Sequence, residues 1–120
     1  MDEKIGVEIT SEESVAVMVF RAASISSTEG ITAASAQINE FIEKKHPKGI
    51  VIDFERVKFF SSQVLGLLLG IRAKLKMYDG EVVISAINPQ LYRVFKITNL
   101  DKIFRFFPDK ESAVKMVSTS

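Results

Sequence analysis

The sequence predicts an α/β fold in which helices pack on a mixed, mostly parallel β-sheet, and three observations lead to this prediction. Short apolar runs typical of strands alternate along the chain with segments whose apolar residues recur at about 3.6-residue spacing. The first two strand-like runs follow each other directly, whereas each later run is preceded by a helical segment. The order β-β-α-β-α-β-α-β-α gives about five strands and four helices. Because 120 residues is an ordinary domain size, we expect one domain over residues 1–120.

The N-terminal elements follow from two kinds of periodicity. Residues 5–10 and 14–20 alternate side chains between two faces, so they predict two strands that pair as a hairpin at the edge of the sheet. A helical segment comes next, and Pro47 stops it. Its apolar positions lie on one side of the helix: Ile31, Ala34, Ile38, Phe41 and Ile42.

The remaining elements alternate strand and helix. Residues 49–54 form a short, almost wholly apolar run, as expected of a central strand that is buried on both faces. A helix over 63–78 and a strand over 81–87 follow. Asn88 and Pro89 then mark a helix start, with asparagine as the N-cap and proline at the first helical position. Residues 103–107 predict the last strand, and a terminal helix begins after it.

Composition excludes several classes of site. The chain has no cysteine and one histidine, which excludes disulfides, thiolate zinc sites and paired-histidine metal sites, and we expect no metal and no cofactor. The net charge of +1 gives no strong electrostatic case for nucleic-acid binding, and we expect no nucleic-acid partner. The longest apolar run, at 64–71, is too short to cross a bilayer, and no export signal is visible, so we expect a cytoplasmic protein.

The junction at residues 53–72 is the segment most suited to a function. A buried strand leads through a loop to Ser61 and Ser62, and then to a helix whose first turns are almost entirely apolar. The simplest interpretation of the serines is that one of them caps the helix. A serine at this place could instead carry phosphate, because the positive end of the helix dipole favours negative charge. Gly66 and Gly70 are explained most simply by close packing of this helix on the sheet.

The whole arrangement resembles the STAS domain, the family of anti-sigma factor antagonists. In that family a motif like Asp-Ser-Ser-Gly-Leu-Gly stands at a helix start, and residues 61–66 here read Ser-Ser-Gln-Val-Leu-Gly. The segment 95–104 also resembles the C-terminal half of the family. The order and spacing of these segments match over nearly the whole chain.

The resemblance implies a regulatory protein that is not an enzyme and acts by switching partners. The unphosphorylated domain would bind a kinase-type anti-sigma factor or a related serine kinase, phosphorylation would weaken the complex, and a phosphatase would restore it. The phosphoacceptor position maps onto Ser62, with Ser61 beside it. The expected partner-binding residues are Ser26, Ser27, Phe60, Ser61, Ser62, Gln63, Leu65 and Gly66. Of Phe59 and Phe60, we expect one in the core and the other at the surface.

Departures from the family pattern keep two alternatives open. The acidic residue usual before the phosphoacceptor is Ser61 here, and the glycine usual two residues after the phosphoacceptor is Val64. An acidic residue common after the second strand is replaced near Ser26. The domain could therefore be a docking or scaffold subunit without phosphorylation, including a homodimer formed through the apolar helix. The second alternative is a module that binds a nucleotide or lipid where strand ends meet helix starts.

Overall fold

Strands and helices alternate along residues 6–12 and 14–118, the part of the chain that the computed structural model describes. Residue 5, the first of the predicted strand over 5–10, lies outside this part. The strands are β1 (Val7–Glu12), β2 (Val15–Phe20), β3 (Ser24–Ile25), β4 (Gly49–Asp53), β5 (Phe59–Phe60), β6 (Glu81–Ser85) and β7 (Arg105–Phe107). The α-helices are α1 (Thr28–Lys45), α2 (Gln63–Lys76), α3 (Pro89–Ile97) and α4 (Lys110–Ser118), and a short 3-10 helix spans Leu100–Lys102.

The main sheet has five strands in the order β1-β2-β4-β6-β7. The β1–β2 pair is the predicted antiparallel edge hairpin, and the other neighbours pair in parallel. Every residue of β4 is buried, as the uninterrupted apolar run at its centre predicts. The structure confirms the predicted α/β class, with a mixed five-stranded sheet and four α-helices.

Helices cover both faces of this sheet. The buried residues of α1, α2 and α3 share one apolar core with inward side chains of the strands. On the other face, Ala113 and Val117 of α4 pack against valines of β2, β4 and β6. Gly49 allows α4 to approach the sheet, because a Cβ atom at this position would collide with the side chain of Val117.

Polar side chains cap the N-termini of α3 and α4, largely as the sequence predicts. The Asn88 side chain accepts a hydrogen bond from the backbone N–H of Leu91 at 2.9 Å, and Pro89 opens α3. At α4, the backbone N–H of Ser112 donates to Asp109 Oδ1 at 2.7 Å. This hydrogen bond to the ionised carboxylate lowers the pKa of Asp109.

Several elements differ from their predicted bounds, and one small sheet was not predicted. The strand predicted over 81–87 ends at Ser85, because Ala86 has a positive φ of 56° that turns the chain. A separate two-stranded parallel sheet, β3 with β5, has no counterpart in the prediction. Each of its strands has two residues, too few for an alternating pattern to be visible in the sequence.

Candidate functional site

The two-stranded sheet brings the starts of α1 and α2 together. Ile25 of β3 pairs with Phe60 of β5, and the backbone N–H of Ser61 donates to the carbonyl oxygen of Ile25 at 2.9 Å. The next residues in each segment begin a helix. We call residues 26–28 and 61–63 together the helix-start corner. Because α1 and α2 both begin here, the positive ends of two helix dipoles lie side by side at the corner.

A side-chain hydrogen bond joins the two halves of the corner. The hydroxyl of Thr28 donates to Oε1 of Gln63 at 3.2 Å. On the α1 side, Ser27 Oγ accepts a hydrogen bond from the backbone N–H of Gly30 at 3.1 Å and so caps the helix. Ser26 and Gln63 are exposed, whereas Ser27 is half-buried. The corner therefore presents a polar surface with little formal charge.

Ser62 is the exposed hydroxyl at the start of α2. It has helical backbone angles, φ −61° and ψ −18°, and its side chain makes no capping hydrogen bond. The first turn of α2 contains no acidic residue. The interpretation that a serine side chain caps this helix is therefore wrong, because the capping interaction is absent at Ser62 and Ser61 Oγ has no hydrogen-bond partner. The Ser62 hydroxyl is available at the positive end of the helix.

Ser61 differs sharply from its neighbour. Its Oγ atom is buried and has no hydrogen-bond partner. A hydroxyl without solvent access cannot receive a phosphoryl group unless the corner opens first. The structure therefore places the hydroxyl of Ser61, which we expected beside Ser62 as a phosphoacceptor, below the exposed surface of the corner.

Phe59 and Phe60 take opposite sides of β5. Phe60 is 5% exposed, and its ring packs against Phe54 at 5.7 Å and Phe95 at 6.0 Å between centroids. The ring of Phe60, which we expected at a partner contact, lies in the core instead of on the exposed surface. Phe59 is 55% exposed and lies beside the corner. Alternation along a strand separates the two residues, but the sequence alone does not say which one points inward.

The residues in the first turns of α2 also divide into buried and exposed ones. Leu65, which we also expected at a partner contact, is only 8% exposed and packs in the core. Gly66 is exposed, and a Cβ atom placed on either Gly66 or Gly70 would meet nothing within 4 Å. Close packing on the sheet therefore does not explain these glycines. They lie on the outer side of α2, together with the partly exposed Leu69.

A buried carboxylate anchors the loop that leads to the corner. Asp53, at the end of β4, is 2% exposed and accepts hydrogen bonds from Ser85 Oγ at 2.8 Å and from the backbone N–H of Glu55 at 3.0 Å. The Asn88 side chain donates to the carbonyl oxygen of Val57 in the same loop at 3.2 Å. Sequence reasoning missed the roles of Ser85 and Asn88 here, because the contacts join segments more than thirty residues apart.

The described residues contain no cluster of three or more histidine, cysteine or acidic side chains that could hold a metal ion. Within the same part of the chain, no helix combines the length and hydropathy needed to cross a bilayer.

Comparison with known proteins places these features in a family. The STAS domain model matches residues 8–113. An anti-sigma F factor antagonist of Paenibacillus polymyxa is 26% identical over 78 residues, which are 65% of this chain and 67% of that protein. The Bacillus cell fate determinant SpoIIAA in its phosphorylated form has a TM-score of 0.74 at 22% identity, covering 93% of this chain and 99% of that one. An anti-sigma factor antagonist from Mycobacterium paratuberculosis has a TM-score of 0.79 at 25% identity, covering 94% and 93%.

The family model extends from β1 into α4, so it includes both halves of the helix-start corner. The resemblance inferred from residues 61–66 and 95–104 is confirmed, and the overall fold agrees with that of the solved relatives. The chain belongs to the STAS domain family.

Proposed function

We propose that this protein is an anti-sigma factor antagonist that binds a kinase-type anti-sigma factor and is switched by phosphorylation of Ser62. One observation carries the proposal. At the start of α2 the Ser62 hydroxyl is exposed and makes no capping hydrogen bond, whereas the Ser61 hydroxyl is buried. The relatives named as anti-sigma factor antagonists support the choice of partner class.

The proposed contact surface combines four residues of the helix-start corner with two immediate neighbours. It comprises Ser26, Ser27, Phe59, Ser62, Gln63 and Gly66. Phe59 provides an exposed aromatic ring, the type of side chain enriched at protein interfaces. Gly66 leaves space one turn beyond Ser62, so a partner side chain can approach the helix backbone. These residues carry no formal charge, which suits a neutral, partly apolar partner surface.

Phosphorylation changes this surface through charge. The kinase would transfer the γ-phosphoryl group of ATP to Ser62 Oγ, so that the new Oγ–P bond forms, the bond to ADP breaks and a base of the kinase takes the hydroxyl proton. The phosphate adds about −1.5 to −2 charges at pH 7. Burying that charge against a neutral partner surface is unfavourable, so the complex dissociates. A phosphatase hydrolyses the phosphate ester and restores the hydroxyl.

In this proposal the protein performs no reaction of its own and works in the cytoplasm. Its partners carry out the phosphoryl transfer and the hydrolysis. The fold supplies a rigid position for Ser62, because backbone hydrogen bonds from Ser61 to Ile25 and from Lys58 to Ala23 hold the approach to α2.

Incubation with the cognate kinase and ATP, followed by mass spectrometry, tests the proposal. We expect phosphate on Ser62 of the wild type and no phosphate on the Ser62→Ala variant. Ser61→Ala is the matched control, since it removes a hydroxyl one residue away that is buried, and we expect it to be phosphorylated normally. Phosphate uptake by Ser62→Ala, or none by the wild type with an active kinase, contradicts the proposal.

A second candidate is a docking or scaffold subunit that is not phosphorylated. It is favoured by the absence of acidic residues at Ser61 and Ser26, and by Leu69 and Met77 of the α2 region, which are 37% and 87% exposed. Light scattering over a concentration series separates the two. A mass that rises to that of an oligomer, together with no phosphate uptake, supports the scaffold, whereas a constant monomer mass contradicts self-assembly.

A further inference from the structure

A cleft lies where α2 ends and β6 begins, at the opposite end of α2 from the helix-start corner. Its volume is about 290 Å³. Its lining consists of Arg72, Lys76, Gly80, Glu81, Val82 and Ile103. Val82 is buried and Ile103 is 40% exposed, so apolar side chains form part of the wall.

Two cations in this cleft have no partner within the described residues. Arg72 and Lys76 are four residues apart on α2, so both side chains project from one side of the helix. Neither makes an ion pair or hydrogen bond with a described residue. Lys74, between them in sequence, differs because its Nζ lies 3.1 Å from Glu43. Arg72 is also half-buried, whereas the other arginines are exposed.

The carboxylate that lines the cleft is already engaged. Glu81 Oε2 accepts a hydrogen bond from Arg105 Nη1 at 2.8 Å. With Glu81 neutralised by Arg105, the cleft retains the two positive charges of Arg72 and Lys76. Like charges one helical turn apart repel each other, and an anion between them removes that repulsion.

We propose that this cleft binds a small phosphate dianion, either free phosphate or a small phosphate monoester. Two cations match two negative charges, and the planar guanidinium of Arg72 offers paired N–H donors to phosphate oxygens while Lys76 supplies a second charge. The volume lies at the lower limit of about 300 Å³ for small-molecule sites, so it fits a compact anion rather than a dinucleotide. This site is separate from Ser62 and from the proposed partner surface.

Two neighbouring features disfavour the binding of an anion in the cleft. The C-terminus of α2 presents the negative end of its dipole, for which Arg72 and Lys76 provide compensating charge. Asp79, together with Lys76 and Gly80, lines an adjoining depression. If compensation of the helix dipole is the only role of the two cations, added phosphate will not bind saturably. Titration with phosphate distinguishes the two roles.

Titration of the isotopically labelled protein with inorganic phosphate, followed by NMR at constant ionic strength, tests the proposal. We expect saturable shifts of the backbone amide signals of Gly80, Val82 and Ile103. A parallel titration with O-phosphoserine shows whether a monoester binds as well as free phosphate. A titration with acetate tests the class of ligand, and saturable binding of acetate as tight as that of phosphate overturns the assignment to phosphate.

Single-residue variants distinguish binding of phosphate in the cleft from a general electrostatic attraction of anions to the protein. Arg72→Gln and Lys76→Gln should each weaken phosphate binding by roughly tenfold, since each removes one charge-assisted contact. Arg93→Gln is the matched control, because Arg93 is an exposed arginine on α3 that lies outside the cleft, and its affinity should equal that of the wild type. Absence of saturation in the wild type, or equal affinity in all variants, overturns the proposal.

Discussion

Replacing Ser62 by aspartate is expected to weaken binding of the anti-sigma factor partner by roughly a hundredfold, while the domain stays folded. A carboxylate buried in an interface without a cationic partner is unfavourable by several kcal/mol. Ser62 is exposed and makes no capping hydrogen bond, so the substitution removes no interaction of the folded domain. Negative charge at a helix start stabilises by about 0.3–1 kcal/mol, so the free energy of unfolding should be unchanged or slightly higher.

Isothermal titration calorimetry measures the affinity for the partner. Urea denaturation of the free domain measures the free energy of unfolding. Ser62→Asn is the matched control, because asparagine has nearly the shape of aspartate and no charge. We expect Ser62→Asn to bind much more tightly than Ser62→Asp. Equal losses in the two variants would show that size rather than charge disrupts the complex, and unchanged affinity of Ser62→Asp would remove Ser62 from the switch.

The second large effect concerns the two adjacent phenylalanines. Phe60→Ala is expected to lower the free energy of unfolding by about 3–5 kcal/mol, because it opens a cavity where the ring now packs against Phe54 and Phe95. That loss is a large part of a typical domain stability of about 5–15 kcal/mol. Phe59→Ala is expected to change the same quantity by at most about 0.5 kcal/mol, since Phe59 is 55% exposed.

The affinity for the partner should change in the opposite order, with the larger loss in the Phe59→Ala variant. Phe59→Ala removes an exposed aromatic ring beside the corner and should weaken the complex by roughly tenfold or more. Should Phe60→Ala fail to fold, Phe60→Leu provides a milder core change whose unfolding can still be measured. A destabilisation by Phe59→Ala equal to that of the Phe60 variant would contradict this division, and unchanged affinity of Phe59→Ala would exclude Phe59 from the contact surface.

The sequence predicted the main sheet because its signals are local. The alternation at 14–20, the apolar run at 49–54 and the Asn88-Pro89 helix start each depend on residues close together in the chain. The same holds for the family resemblance, which rests on a short motif at 61–66 and on the order of the elements. Both predictions were confirmed by the five-stranded sheet and by the family match over residues 8–113.

The pair β3 and β5 was missed for the opposite reason. Ser24 and Phe59 pair across thirty-five residues, and neither two-residue strand leaves a pattern in the sequence. This small sheet joins the two segments that lead into α1 and α2. The hydrogen bond from Thr28 to Gln63 was therefore not predictable from either segment alone.

Local patterns by themselves determined the class of fold and, to within a few residues, where each helix and each strand of the main sheet lies along the chain. They also indicated the segment for which we propose a function. Only the tertiary structure decided which of two neighbouring residues faces the solvent: Phe59 rather than Phe60, and Ser62 rather than Ser61. The physical reason is that the periodicity of a strand places adjacent side chains on opposite faces, whereas which face is buried depends on what packs against it. Here that packing comes from Phe54, Phe95 and a strand distant in sequence.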